Sequence, residues 1–358
     1  MLNHTTLKNK SLYEEEEILE NIRKVNIFAI SLIVFMGLVG HLLTICVYSQ
    51  KKFRQNSNTV YLLVLAINDS LFLIVHFFED TARTIKDVYS TEFLSLVDSC
   101  HWACYLFSYL RNVIRFNSAY IIVAFTLQRL LLVYKPLSGQ MKSKQSAWSL
   151  ICFICLVGSV SNSWTFFFFR LNEKNFCDVF EGLHFEYLIL NSIYVFLVFV
   201  IPIVFLIICN CLVISKSRAD DINRRKLDQA TMIETNQMTV IISNPTTYKQ
   251  KTSKKNRYLT VMKRKQTFYS KKITKTLVII SVAYVFLNLP YMVSWFIYFF
   301  NVETSNETFK NYQFAALQIS EIFYVSNYAI AFFAYCLSGT KFRQQLLSFK
   351  LSPASKYI

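Results

Sequence analysis

The stretch "TLQRLLLVYKPL", residues 126–137, ends an apolar run and carries one guanidinium, Arg129. An arginine left in hydrocarbon is costly, so such a residue marks a boundary, a cavity or a partner. Upstream, Arg111 and Arg115 stand four apart in "YLRNVIRFN" and share one helix face. Acids occur at matching depth: Glu79 and Asp80 close one apolar run, and Glu321 lies in the corresponding half of another. Guanidinium–carboxylate pairs between these residues would build a wet, charged pocket. Rimmed by Tyr291, Trp295, Tyr298 and Tyr324, it would suit a peptide or a charged small molecule. The same residues would equally serve as an internal salt-bridge network that fixes the helices. Asp69 sits mid-run in "LVLAINDSLFL", with Ser118 and Asn327 at similar depth. Together they would hold a cation such as sodium, or simply hydrogen-bond helix to helix.

This is recognition chemistry rather than catalysis. The five histidines form no ligand or triad pattern, and the nine cysteines give no CxxC pair and no zinc spacing. There is no GxGxxG or Walker motif, so neither a cofactor nor a structural metal is expected.

The elements that position these residues follow from composition. The chain has 358 residues, 54% hydrophobic and 17% charged, against about 25% charged in soluble domains. Mean hydropathy is +0.34, and the apolar residues fall in long runs, which points to a membrane protein. The net charge of +16 does not indicate nucleic acid, because much of the excess lies between Lys216 and Lys275 and in short segments between apolar runs. The first 25 residues are polar and acidic ("YEEEEILE"), without the apolar core of a cleavable signal peptide, so insertion would rely on the first membrane helix.

Apolar runs near 26–49, 59–80, 102–134, 146–169, 186–214, 273–300 and 312–337 predict seven membrane helices, the seventh being the most polar. Pro202 and Pro290 lie inside the fifth and sixth, where a bundle tolerates them as kinks. Lysine and arginine follow the first, third and fifth runs, so the N-terminus would lie outside and the C-terminus in the cytosol. The sequons at Asn3, Asn9 and Asn306 then fall outside, as glycosylation requires. Cys177, and either Cys104 or Cys100, would meet in a disulfide on that oxidising side. The segment 215–272 reads as a basic cytosolic loop beside anionic lipid, with a disordered middle and ends that continue the flanking helices.

Over about 26–347 the chain resembles a rhodopsin-like (class A) G protein-coupled receptor. The anchors are "LAIND" with Asp69, Cys104 with Cys177, "QRLLLVYKPL", Pro202, Pro290, and "SNYAIAFFAYCLSGTKFRQQL" across helix 7 and a short amphipathic eighth helix. The resemblance implies an all-α bundle of seven transmembrane helices: an extracellular N-terminus over 1–25, the bundle over 26–337, and the amphipathic helix and tail over 338–358. It implies an extracellular ligand, a heterotrimeric G protein and arrestin as partners, with the short tail limiting arrestin. In this family Arg129 would pack against the G protein, and Pro136 and Leu137 would insert into it.

The departures are specific. Gln128 replaces the acid that normally restrains the arginine, and Leu130 replaces a tyrosine. A neutral amide accepts a weaker hydrogen bond than a carboxylate, so a looser resting lock and basal activity are expected. His41 replaces the helix 1 asparagine, Asn210 the helix 5 tyrosine, and Asn288 the helix 6 tryptophan. The helix 7 motif reads "AFFAY", with Ala331 and Phe332 in place of asparagine and proline, keeping only Tyr335. Asn288 near Pro290, with Phe332, looks like the invertebrate FMRFamide-like neuropeptide receptors. The reading is therefore a plasma-membrane neuropeptide receptor. A chemosensory receptor for small molecules is the alternative; a transporter or a receptor that no longer signals is less favoured. An amine ligand is disfavoured, since Arg111 occupies the amine-binding aspartate's place.

Overall fold

The computed structural model describes residues 2–50, 57–90, 96–134, 144–172, 176–180, 182–241, 278–298, 300, 307–338 and 342–346. Among these residues, seven long helices form one bundle: α1 (Leu2–Tyr48), α2 (Ser57–Tyr89), α3 (His101–Tyr134), α4 (Lys144–Ser161), α5 (His184–Ile241), α6 (Val278–Tyr298) and α7 (Glu307–Ser338). A short helix, α8 (342–346), follows, with Phe342 packed on Tyr48 at the end of α1. A two-stranded hairpin, β1 (Phe169–Leu171) and β2 (Cys177–Val179), joins α4 to α5, pairing Phe169 with Val179 and Leu171 with Cys177.

Among the described residues, six helices are long and apolar enough to cross a membrane. α7 is long enough but more polar, and its packing explains why. Ser320, Tyr324, Asn327 and Tyr328 are buried among its neighbours. The Tyr328 ring stacks on Phe72 of α2 at 3.6 Å, and its carbonyl lies 2.6 Å from His41 Nε2 of α1. A polar face turned inward lowers hydropathy without placing polar groups in lipid. The outer surface is correspondingly apolar: Phe28 and Phe35 on α1, Phe153 and Val160 on α4, Val204 and Ile208 on α5, and Phe286 on α6 are exposed. α1 approaches α7 closely through Gly37 and Gly40; a Cβ at Gly40 would stand 2.8 Å from the Phe332 ring.

Several helices outrun their apolar runs. α2 continues past Glu79 and Asp80 to Tyr89, through a π turn at Phe77–Thr81. The predicted end at residue 80 is thus too early, because those acids face protein instead of ending the helix. α1 is helical from Leu2, and α5 to Ile241, well beyond the apolar stretches. Hydropathy registers where lipid ends, not where backbone hydrogen bonding ends. Residues 242–277 lie outside the described residues, as do Pro136, Leu137 and Asn306.

A second π turn, Phe196–Val200, precedes Pro202. Proline has no N–H to donate to the carbonyl four residues earlier, here Val198. That carbonyl accepts the Tyr284 hydroxyl of α6 at 3.0 Å, and the neighbouring Leu197 carbonyl accepts Tyr120 of α3 at 3.1 Å. The proline break in α5 is thus satisfied by two other helices, as a buried backbone in hydrocarbon requires.

The hairpin is tied to the bundle twice. Cys104 of α3 is disulfide-bonded to Cys177 of β2, so Cys104, not Cys100, is the partner. Cys100 is free and exposed beside the start of α3, where the Ala103 N–H and then the Ser99 hydroxyl hold its thiol below the usual range. The buried Asp98 carboxylate accepts Arg83 Nη2 of α2 and the Cys177 N–H, both at 2.9 Å.

Two outcomes follow. Tyr284→Phe leaves the Val198 carbonyl without its donor and should cost about 1–3 kcal/mol, read as thermal unfolding of purified protein. Cys104→Ala or Cys177→Ala should cost about 2–5 kcal/mol and reduce surface expression, whereas Cys100→Ala should match the wild type.

Candidate functional site

The site is built where α2, α3 and α7 converge below the hairpin. The i, i+4 spacing puts Arg111 and Arg115 on one face of α3, yet they meet different partners. Arg111 Nη1 lies 2.8 Å from Glu79 Oε1 and 3.8 Å from Asp80 Oδ1. The Glu79 side chain is 2% exposed, so this pair is withdrawn from solvent. Removing one partner would strand a buried charge.

Arg115 makes no ion pair among the described residues. Its guanidinium sits over the ring of Tyr324 at 5.1 Å and that of Phe72 at 5.8 Å. Aromatic faces attract a cation, but they leave its hydrogen-bond donors for other acceptors. Tyr291 of α6 stacks on Tyr324 at 4.6 Å and extends this aromatic wall. Tyr324 is fully buried and forms a floor, not part of a rim. Trp295 is partly buried against Phe296, and Tyr298 is exposed near the end of α6.

The α7 side holds a residue that the sequence reading did not single out. His76, 1% exposed, places Nδ1 3.0 Å from Asp80 Oδ2 and Nε2 3.4 Å from Glu321 Oε1. Its i, i+4 relation to Asp80 was legible along α2; its meeting with Glu321 depends on how α7 packs. Asn26 of α1 donates from Nδ2 to the Gln318 side chain at 2.6 Å and to Glu321 Oε2 at 3.3 Å.

Deeper in the bundle, Ser118 donates to Asp69 Oδ1 at 2.8 Å. Asn327 is buried on α7, and no hydrogen bond joins it to that pair among the described residues. Asn288, two residues before Pro290, donates to its own helix at the Tyr284 carbonyl, one turn back and 2.6 Å away. At the far end of α3, Gln128 donates from Nε2 to the Ser57 hydroxyl of α2 at 3.1 Å. The buried Arg129 guanidinium lies 5.6 Å above the Phe125 ring. Tyr335 lies in α7, and Asn3 and Asn9 in α1.

The family model described as 7 transmembrane receptor (rhodopsin family) matches residues 40–331. A search of curated proteins finds no match to the chain.

The Arg111–Glu79 pair predicts a non-additive mutant cycle. Glu79→Ala alone should cost about 3–5 kcal/mol of thermal stability, since it leaves Arg111 buried without its carboxylate. The Glu79→Ala/Arg111→Ala double variant should recover part of that loss, with a coupling of about 1 kcal/mol or more.

Proposed function

The chain belongs to the rhodopsin family of seven-transmembrane receptors, and from that premise we propose that it binds an extracellular peptide and activates a heterotrimeric G protein. As a family member it is a multi-pass plasma-membrane receptor and not an enzyme. The single observation that carries the ligand reading is Arg115: a cation between aromatic rings, without an ion pair among the described residues, on the face where Arg111 is already neutralised by Glu79. It suits a carboxylate or carbonyl oxygen of the ligand. Asp80 and Glu321, 33% and 17% exposed, suit a basic group on the same ligand. Tyr291 and Trp295 supply apolar contact from α6. A site with both signs of charge and an aromatic wall fits a peptide better than a simple amine.

In this reading the hairpin side is extracellular, which puts Asn3 and Asn9 outside for glycosylation and the Arg129 end in the cytosol. The combination of Asn288, Pro290 and Phe332 supports placement near the FMRFamide-like neuropeptide receptors. Activation is a population shift in which the ligand favours a state with α6 moved outward. Arg129, Pro136 and Leu137 then contact the G protein, and Tyr335 moves with α7. Gln128 engages Ser57 through its amide, and an amide restrains Arg129 less than a carboxylate would. Asp69 and Ser118 form the core of a sodium site that Asn327 completes only if α7 shifts.

A peptide library applied to cells expressing the receptor should yield a ligand whose potency falls about 10-fold or more in Arg115→Ala at equal surface expression. Without ligand, second-messenger output should be measurable, abolished by Arg129→Ala and lowered by Gln128→Asp. Response only to small molecules would replace the peptide reading with the chemosensory one. Silence of all variants at normal surface levels would overturn the loose lock.

A further inference from the structure

The surroundings of His76 do not close electrostatically. A neutral imidazole has one donor and one acceptor nitrogen. Here each nitrogen faces a carboxylate, Asp80 at Nδ1 and Glu321 at Nε2. One of those carboxylates therefore meets a lone pair, unless a cation stands between them. Arg111 is engaged by Glu79 at 2.8 Å and reaches only the Asp80 oxygen other than the one at His76, at 3.8 Å, and Arg115 reaches no carboxylate among the described residues.

A proton on the ring is the smallest such cation, but the geometry is poor for it. Neither ring nitrogen makes an aligned hydrogen bond, although His76 is buried and lies within 3.4 Å of both acids. Charge-assisted N–H···O contacts close to about 2.7–2.9 Å. The Nε2–Oε1 separation is 3.4 Å. That is the edge length between two ligands of one tetrahedral metal ion, about 3.3–3.5 Å when each ligand lies about 2.0–2.1 Å from the ion. One ligand atom each from His76, Asp80 and Glu321 lie within 4.8 Å of one another. One ion takes one ring nitrogen, so Asp80, now at Nδ1, must turn toward the Nε2–Glu321 edge to join it.

We infer that His76, Asp80 and Glu321 form a binding site for a divalent zinc-like cation, bridging α2 and α7 beside the proposed ligand pocket. One imidazole and two carboxylates match Zn²⁺, and a burial-bound imidazole disfavours Mg²⁺ and Ca²⁺, which prefer oxygen throughout. His76 immediately precedes the π turn at Phe77–Thr81 and Asp80 lies within it, four residues on. Asn26 holds the other oxygen of Glu321, as outer partners of metal ligands do. The partial exposure of Asp80 and Glu321 gives the ion a way in. A zinc ion here would compete with a basic group of the ligand for Glu321, and would pin α7 to α2. The inference stands on the cluster itself and does not require the ligand to be a peptide.

The test uses the full-length receptor, free of any histidine tag, in lipid nanodiscs without ligand. Isothermal titration and thermal unfolding are run with Zn²⁺, and with Mg²⁺ and Ca²⁺ as controls. The expected result is one saturable Zn²⁺ site that raises the unfolding temperature with concentration, as linkage demands, and no such effect of the controls. His76→Ala, Asp80→Asn and Glu321→Gln should each weaken binding about 10-fold or more. Glu321→His keeps a metal ligand in place and should retain binding, which separates loss of the site from loss of the fold. No saturable Zn²⁺ binding to wild type, or binding unchanged by His76→Ala and Glu321→Gln, overturns the site. Stabilisation by lowered pH alone, without a zinc effect, also overturns it and assigns the cation to a proton on His76.

Discussion

The withdrawal of the Arg111–Glu79 ion pair from solvent is the constraint on which the site end of the bundle depends. A guanidinium cannot be left in hydrocarbon, so α3 must present Arg111 to an acid on another helix. Glu79 is 2% exposed and 2.8 Å away, which sets the rotation of α3 against α2. With that rotation given, Arg115 falls four residues on against Phe72 and Tyr324, and Asn112 offers its carbonyl to Tyr194 of α5. The same turn of α3 points Cys104 at the hairpin. One pair thus orients the aromatic wall, Arg115 and the disulfide together.

Charge at this end is distributed by need rather than by proximity in the chain. Glu79 and Asp80 are adjacent, yet they serve different partners: one neutralises Arg111, the other faces His76. The π turn at Phe77–Thr81 carries both acids, and an inserted residue in a helix changes which faces successive side chains occupy. α7 enters the cluster through Glu321, and α1 joins through Asn26. Four helices therefore meet at one polar node, α2 contributing three side chains and the others one or two each, inside a surface that is otherwise apolar.

The centre of the bundle shows the same economy with backbone groups. Where Pro202 frees the Val198 carbonyl, Tyr284 of α6 fills the gap; where α1 and α7 approach through Gly37 and Gly40, His41 meets the Tyr328 carbonyl. Several of these residues stand where the family pattern has others. His41, Asn288 and Phe332 each have a specific contact: a carbonyl on α7, a carbonyl on its own helix, and the close face of α1. They are integrated substitutions. The opposite end is organised more simply, with Gln128 donating to Ser57 and Arg129 lying over Phe125.

The sequence alone determined the solvent and the architecture. Apolar runs of membrane length, basic residues clustered between them, and ordered anchors such as Asp69, Cys104, Arg129 and Pro290 specify a seven-helix receptor, because those signals are local and periodic. It also marked Arg111, Arg115, Glu79 and Glu321 as a charged group at one depth, since burial cost makes such residues conspicuous. Tertiary structure decided the pairings. Nothing in the spacing says that Arg111 takes Glu79 while Arg115 takes aromatic rings, that Cys104 outcompetes Cys100, or that His76 looks toward Glu321. Those outcomes depend on helix rotation and, for Glu79, on the π turn of α2 that carries it. Helix rotation is set by contacts between segments far apart in the chain, and no local pattern encodes it.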